Sequence, residues 1–156
     1  MSIAQINCPT YGVLEKKISF KNTSGAALAH GDVVVKDFAT MVTEVASATD
    51  GICRENAKSS TTAGDSTILG VVHDPAGFGV ADGALGELVV RGFAKVKVAL
   101  ATAVTALTTL KHSGTALTAV KITAATTLVP GLHIGTVIKG KTLTTVSTVD
   151  VFVDLK

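Results

Sequence analysis

The chain is predicted to be all-β, a compact β-barrel or β-tulip-like sandwich of short antiparallel strands preceded by an extended N-terminal arm. Three observations predict it. Strict apolar/polar alternation runs through several segments, most clearly from Glu87 to Ala99. Turn residues punctuate the chain every ten residues or so. The composition is rich in Val, Thr and Gly, with 15 glycines in 156 residues, and aromatics make up only 4% with no tryptophan. β-Branched side chains suit a pleated surface, and the core must be assembled from Val, Leu, Ile and Ala.

The elements follow in order. Met1 to Val13 has no consistent period and contains Pro9, Gly12 and the single tyrosine, Tyr11, and residues 1–16 are assigned to an extended N-terminal arm. They read as an arm that orders against another surface, with Ile3, Ile6, Pro9, Tyr11 and Val13 as the contact residues. Residues 17–156 form the single β-barrel domain, a length that supports one core. Lys17 to Asn22 alternates, with Ile18 and Phe20 on one face. Asn22 to Gly25 supplies a turn, and Gly31-Asp32 makes a sharp turn that feeds Val33, Val34 and Val35. Met41 to Val45 alternates, and Ser47 to Asp65 reads as a surface loop or short hairpin. Ile68 to His73 is a buried strand ending at Asp74-Pro75, followed by a mobile connection from Ala76 to Gly86.

In Glu87 to Ala99, Leu88, Val90, Ala94, Val96 and Val98 are expected on one face, with Glu87, Arg91, Lys95 and Lys97 on the other. Gly92 breaks this strand at its middle, where a missing side chain marks a bulge or a sharp bend, so one strand can serve two sheets. Ala99 to Leu110 is left open between helix and strand: Ala and Leu favour a helix and its Thr residues oppose one. Strands are expected at Ala116 to Thr123 and Leu132 to Ile138. The closing segment places Val149, Val151, Val153 and Leu155 on one face and locks the C-terminal end into the sheet.

Charge and motifs narrow the function classes. A net charge of +2, with Arg only at positions 54 and 91, gives no basic face for nucleic acid. Lys16, Lys17 and Lys21 read as the solvated side of one strand. No apolar run is long enough to span a bilayer as a helix, and no signal-peptide pattern is present, so folding in a cytoplasm is expected. Cys8 and Cys53 lack metal or thioredoxin-like spacing and read as two free thiols.

Catalytic chemistry has little to build on. His30, His73, His112 and His133 lie in separate segments. The sharpest acid-base candidate is His73 with Asp74, but neighbours on a strand face opposite ways and the pair reads as turn polarity. Gly77, Gly79 and Gly83 run into a strand, whereas a phosphate-binding loop runs into a helix. Asp32, Asp37, Asp50 and Asp65 are too far apart for a calcium loop. No enzyme activity, metal or cofactor is expected.

A resemblance adds to this. The chain carries, in order, a turn at Asn22 to Gly25, then Leu28-Ala29-His30-Gly31-Asp32-Val33-Val34, then Ile68-Leu69-Gly70-Val71-Val72, then Gly83-Ala84-Leu85-Gly86-Glu87-Leu88-Val89-Val90-Arg91-Gly92, and Ile134-Gly135-Thr136 before a closing hydrophobic strand. That order resembles the decoration, or head cement, proteins of tailed-bacteriophage capsids. It departs from the family between Val104 and Leu110, where members often have a Gly-containing turn and this chain has no glycine.

The resemblance implies a homotrimer bound to the major capsid protein on the outside of the virion, assembled in the host cytoplasm, that stabilises the expanded shell and performs no chemistry. Two alternatives remain open from the residues. One is a tail-tube or fibre-associated β domain of a phage, and the other a ligand-binding module of β-clip type built on the Gly31-Asp32-Val33 turn.

Overall fold

The computed structural model describes residues 15–40, 55–62, 67–99, 103–113, 118–121 and 133–155. Nine strands occur among them: β1 (Lys16–Asn22), β2 (Val33–Lys36), β3 (Glu55–Lys58), β4 (Ile68–His73), β5 (Leu85–Val98), β6 (Thr109–His112), β7 (Ala119–Lys121), β8 (His133–Val137) and β9 (Ser147–Asp154). The all-β expectation holds. Residues 1–14 of the arm, with its five contact residues, lie outside the described residues, as does the alternating segment Met41 to Val45, whereas Lys16 belongs to β1.

Hydrogen bonding runs in the order β1-β3-β2-β4-β5-β7-β6-β8-β9, with β5 also pairing with β1 and with β9. The first five strands therefore close on themselves as a barrel. The remaining four close a second ring through β5, which pairs with β9 over Arg91 to Val98 and meets β7 at Val98 opposite Ala119. Most pairs are antiparallel, but β1–β3 and β5–β7 are parallel.

Each ring has its own core. Inside the first, Phe20, Leu28, Val34, Leu69, Val72 and Leu88 pack together, with Ala57 and Val80 completing the cluster. Phe20 is the one phenylalanine fully buried among the described residues. The second cluster joins Val96, Val98, Leu110, Ile134, Val149, Val151 and Val153 to Val33, Val71 and Val89. Those last three lie on β2, β4 and β5 and alternate with first-ring core residues, so the second ring packs on the outer face of the first.

Bulges set these faces. Lys16 pairs with Arg91 and Lys17 with Val89, which leaves Val90 as an extra residue in β5. An extra residue reverses the inside-outside alternation. Upstream, Leu88 enters the first core and Val89 the second; downstream, Val96 and Val98 enter the second. This corrects the expectation that Leu88 and Val90 share a face with Val96 and Val98. A similar shift, with Val34 opposite Gly70 and Val35 opposite Ile68, leaves Leu69 extra and lets Leu69 and Val72 fill the same core.

Gly92 sits at the end of the β5 bulge with φ of +120°, a conformation open to glycine and strained for other residues. Beyond it β5 lies across the first ring, and the Lys97 N–H donates to the Gly31 carbonyl at 2.9 Å. The connection from Ala76 to Gly86 is tied down at Val80, which exchanges two backbone hydrogen bonds with Leu28 at 2.7 and 2.9 Å. The open segment Ala99 to Leu110 contributes a bridge from Val104 to Lys141, a turn over Thr105 to Thr108 and the start of β6.

The turn at Asn22 to Gly25 is fixed by one buried amide. Asn22 Nδ2 donates to the carbonyls of Ala26 and Val80, and its Oδ1 accepts the Ser24 N–H and hydroxyl. All four hydrogen-bonding positions of the amide are used, which offsets its burial.

The bend at Gly92 yields a stability test. A Cβ there would lie 3.0 Å from the Glu15 side chain, on top of the unfavourable φ, whereas Gly83 has φ of +76° and open space around it. Gly92→Ala is expected to lower unfolding free energy by roughly 1–3 kcal/mol, and by more than Gly83→Ala. Urea denaturation of both variants checks the order.

Candidate functional site

The Ala29 to Asp32 turn positions the first side chain of the site. Asp32 Oδ2 accepts the Ala29 N–H at 2.7 Å, and Oδ1 pairs with Lys97 Nζ at 2.5 Å. Gly31 donates its N–H to Val72, and the Val72 N–H returns to the Asp32 carbonyl. A Cβ on Gly31 would approach the Lys95 carbonyl to 2.9 Å, and φ there is +86°, so only glycine fits. Thus anchored, the turn presents His30 beside His73, the last residue of β4.

The two imidazoles meet edge to face with centroids 5.8 Å apart and planes at 64°. His30 Nδ1 accepts the Asp74 backbone N–H at 3.0 Å, which fixes the neutral ring with its proton on Nε2. His73 Nε2 lies 3.1 Å from Lys17 Nζ, where it accepts from the ammonium. The Asp74 carboxylate turns away and accepts the Gly79 N–H at 2.6 Å. It does not orient His73, and the turn-polarity reading of that pair agrees with this geometry.

The histidine pair forms one end of a groove of about 560 Å³. Pro75, Phe93 and Ile138 supply apolar walls, and Lys95, Lys139 and Asp150 the polar ones. Phe93 is supported by Phe152, edge to face at 5.4 Å, yet remains 57% exposed. Lys95 and Asp150 are paired across β5 and β9 at 3.1 Å. A second hollow of about 510 Å³ is lined by two ion pairs, Lys36 with Glu55 and Arg91 with Asp154, and by Lys16.

The groove combines apolar walls with cationic side chains. Its imidazoles face an N–H and an ammonium, and among the described residues no carboxylate is hydrogen-bonded to either one. Among the described residues no group of three or more His, Cys, Asp or Glu is placed to hold a metal ion. Elsewhere, the His112 Nδ1 donates to the Thr62 carbonyl at 3.0 Å from a fully buried position. Gly77, Gly79 and Gly83 all have positive φ in the connection leading to β5.

Sequence reasoning named His30 and His73 but did not bring them together, because they are far apart in the chain and meet only through the Gly31-Asp32 turn against β4. The groove has no local signature, since separate segments converge to form it. Phe78, flanked by two glycines, was the one visible sign that a large apolar side chain is held outward.

The His30 geometry predicts an acid-sensitive fold. Burial, then the neighbouring His73, lower its pKa, partly opposed by Asp74 and reinforced by Lys95 and Lys97. A base with a lowered folded-state pKa binds fewer protons folded than unfolded. Its contribution is therefore complete above the unfolded value near 6.5 and is lost as pH falls toward the folded value.

Asp37 does not interfere in this window. Burial alone would raise its pKa, but hydrogen bonds from Thr40, Thr23 and Lys58 bring it down to about 2, so its contribution changes only in stronger acid. Unfolding free energy measured between pH 8 and pH 5 is expected to fall, and His30→Asn to flatten the profile. An equal slope in the variant would remove His30 as the cause.

Compared with known proteins, the chain matches no family model and no curated protein.

Proposed function

We propose that this chain is a structural protein that binds the outer surface of a tailed-bacteriophage capsid as a homotrimer and cements the expanded shell. Residues Ile3, Ile6, Pro9, Tyr11 and Val13 of the arm then seat on the major capsid protein or on a neighbouring subunit. The observation that carries the reading is the ordered set of motifs shared with capsid decoration proteins, together with where those motifs fall in space. Gly31-Asp32, Gly70-Val71-Val72 and the Val90 to Gly92 bend all lie at the junction of the two rings. Three of the five motifs thus meet at that junction, while the Asn22 to Gly25 turn belongs to the first ring and Ile134-Gly135-Thr136 to β8 of the second.

The architecture is suited to such a role. Two closed rings leave few free strand edges, so the body resists indiscriminate edge-to-edge association. Specific attachment then falls to side-chain faces and to the arm, which can add strand-like contacts across a seam. A modest interface repeated over a shell stabilises through avidity and needs no single tight site.

The full chain is expected to co-sediment with expanded capsids and not with unexpanded precursors. Deleting Met1 to Tyr11 is expected to leave the thermal midpoint of the body nearly unchanged while reducing capsid occupancy. Failure to bind either particle, or self-stacking into rings or tubes without capsids, would contradict the proposal and favour a tail-tube component.

A further inference from the structure

Two of the most exposed large apolar side chains are held outward by well-bonded turns. Phe78, 90% exposed, projects from a loop in which the Asp74 carbonyl accepts the Gly77 N–H at 3.1 Å and the Asp74 carboxylate accepts the Gly79 N–H. The Val80–Leu28 bridge closes the same loop. Leu107, 84% exposed, occupies the third position of the Thr105 to Thr108 turn with φ of +64°, a conformation that L side chains adopt at a steric cost.

The Leu107 N–H donates to the Val137 carbonyl at 2.8 Å, and the Val137 N–H donates to Thr108 at 2.8 Å, so surrounding bonds enforce that conformation. Within the monomer a glycine would satisfy the same backbone without strain. Strain held in place around an exposed apolar group points outward, to something that the group contacts.

Each projection is tied through its backbone to a segment that lines the histidine groove. Pro75, in the loop that carries Phe78, lines it, and so does Ile138, which directly follows Val137. Ile138 is itself 46% exposed, and Phe93 is barer still.

The charge beside the groove is one-sided. A smaller hollow of about 250 Å³ is lined by Lys95, Lys139 and Lys141, with Asp150 as its single acid. Asp150 is engaged by Lys95. Lys139 has no carboxylate partner among the described residues, and Lys141 Nζ reaches only the Thr148 carbonyl, at 3.5 Å. Apolar walls, two apolar projections and spare cations together complement a ligand that alternates apolar side chains with carboxylates.

We propose that this groove, with Phe78 and Leu107 at its margins, docks an extended acidic segment of a partner protein, whatever assembly that partner belongs to. Apolar side chains of the segment enter between Phe93 and Ile138, and its carboxylates meet Lys139 and Lys141. A concave site of this size accepts one or two large side chains. A bilayer is too flat to fill it and would touch only the projecting residues.

The test is an NMR titration of the ¹⁵N-labelled full chain with the peptide acetyl-Asp-Leu-Asp-Phe-Asp-Ile-Asp-amide and with its counterpart carrying Lys at every Asp. The acidic peptide is expected to shift resonances of Phe93, Ala94, Lys95, Ile138 and Lys139 and to saturate at concentrations on the order of 1 mM, more weakly as salt rises. Phe78→Ser, Leu107→Gly and Lys139→Glu are each expected to weaken binding by about fivefold or more. Leu107→Gly should keep or raise the thermal midpoint, which a structural role for the leucine would lower.

Equal binding of the Lys peptide, shifts that map elsewhere, no saturation, or unchanged affinity in all three variants would overturn the proposal. So would binding to phosphatidylcholine–phosphatidylglycerol vesicles with no response to the acidic peptide, which would assign the face to a lipid surface.

Discussion

One strand belongs to two closed rings, and the rest of the fold depends on how it does so. β5 pairs with β1 and β4 in its first half and with β9 in its second, and the change of partner takes place within Val90 to Gly92. A regular strand keeps one set of side chains on one face throughout. Such a strand would carry the Leu88 face of the first core into the second half, and Val96 and Val98 would be placed correctly only by accident. The extra residue at Val90 reverses the alternation, and Gly92 provides the backbone conformation that turns the strand across its own barrel.

From that bend follow the two cores and the surface between them. Because β5 returns over the first ring, Lys97 reaches the Gly31 turn with both its backbone N–H and its ammonium. The turn is thereby held against β4 and β5 together, and His30 is brought to His73. Phe93, one residue past Gly92, is left on the outer surface as a groove wall. The groove is thus a by-product of packing one ring on another, and burial together with the neighbouring His73 lowers the His30 pKa. The ring packing and a pH-sensitive junction arise from the same contacts.

Much of this architecture was legible in the sequence. Period-two alternation located β1, β5 and β9, the scarcity of aromatics pointed to a core of Val, Leu, Ile and Ala, to which the structure adds Phe20, and Gly92 was readable as a bend serving two sheets. The identity of the bulged residue was not legible. Val89 and Val90 are the same amino acid, and only pairing with Lys16 and Lys17 decides which one is extra. The parallel pairs β1–β3 and β5–β7 depend on ring closure, which no local pattern encodes.

The turn at Thr105 to Thr108 was equally hidden, since Leu107 takes a conformation that sequence patterns assign to Gly or Asn. Of the functional residues, the arm contacts fall outside the described residues. The groove emerged only when distant segments were brought together.

If β5 makes the two rings a single cooperative unit, neither ring can open alone without disrupting a strand of the other. Native-state hydrogen exchange under increasing denaturant tests this most directly, by comparing first-ring amides such as Val34 and Leu88 with second-ring amides such as Val96 and Val151. A common opening free energy and a common denaturant slope are expected across both sets, equal to those of global unfolding. Two separate tiers, with one ring exchanging through a smaller opening while the other stays protected, would contradict the account.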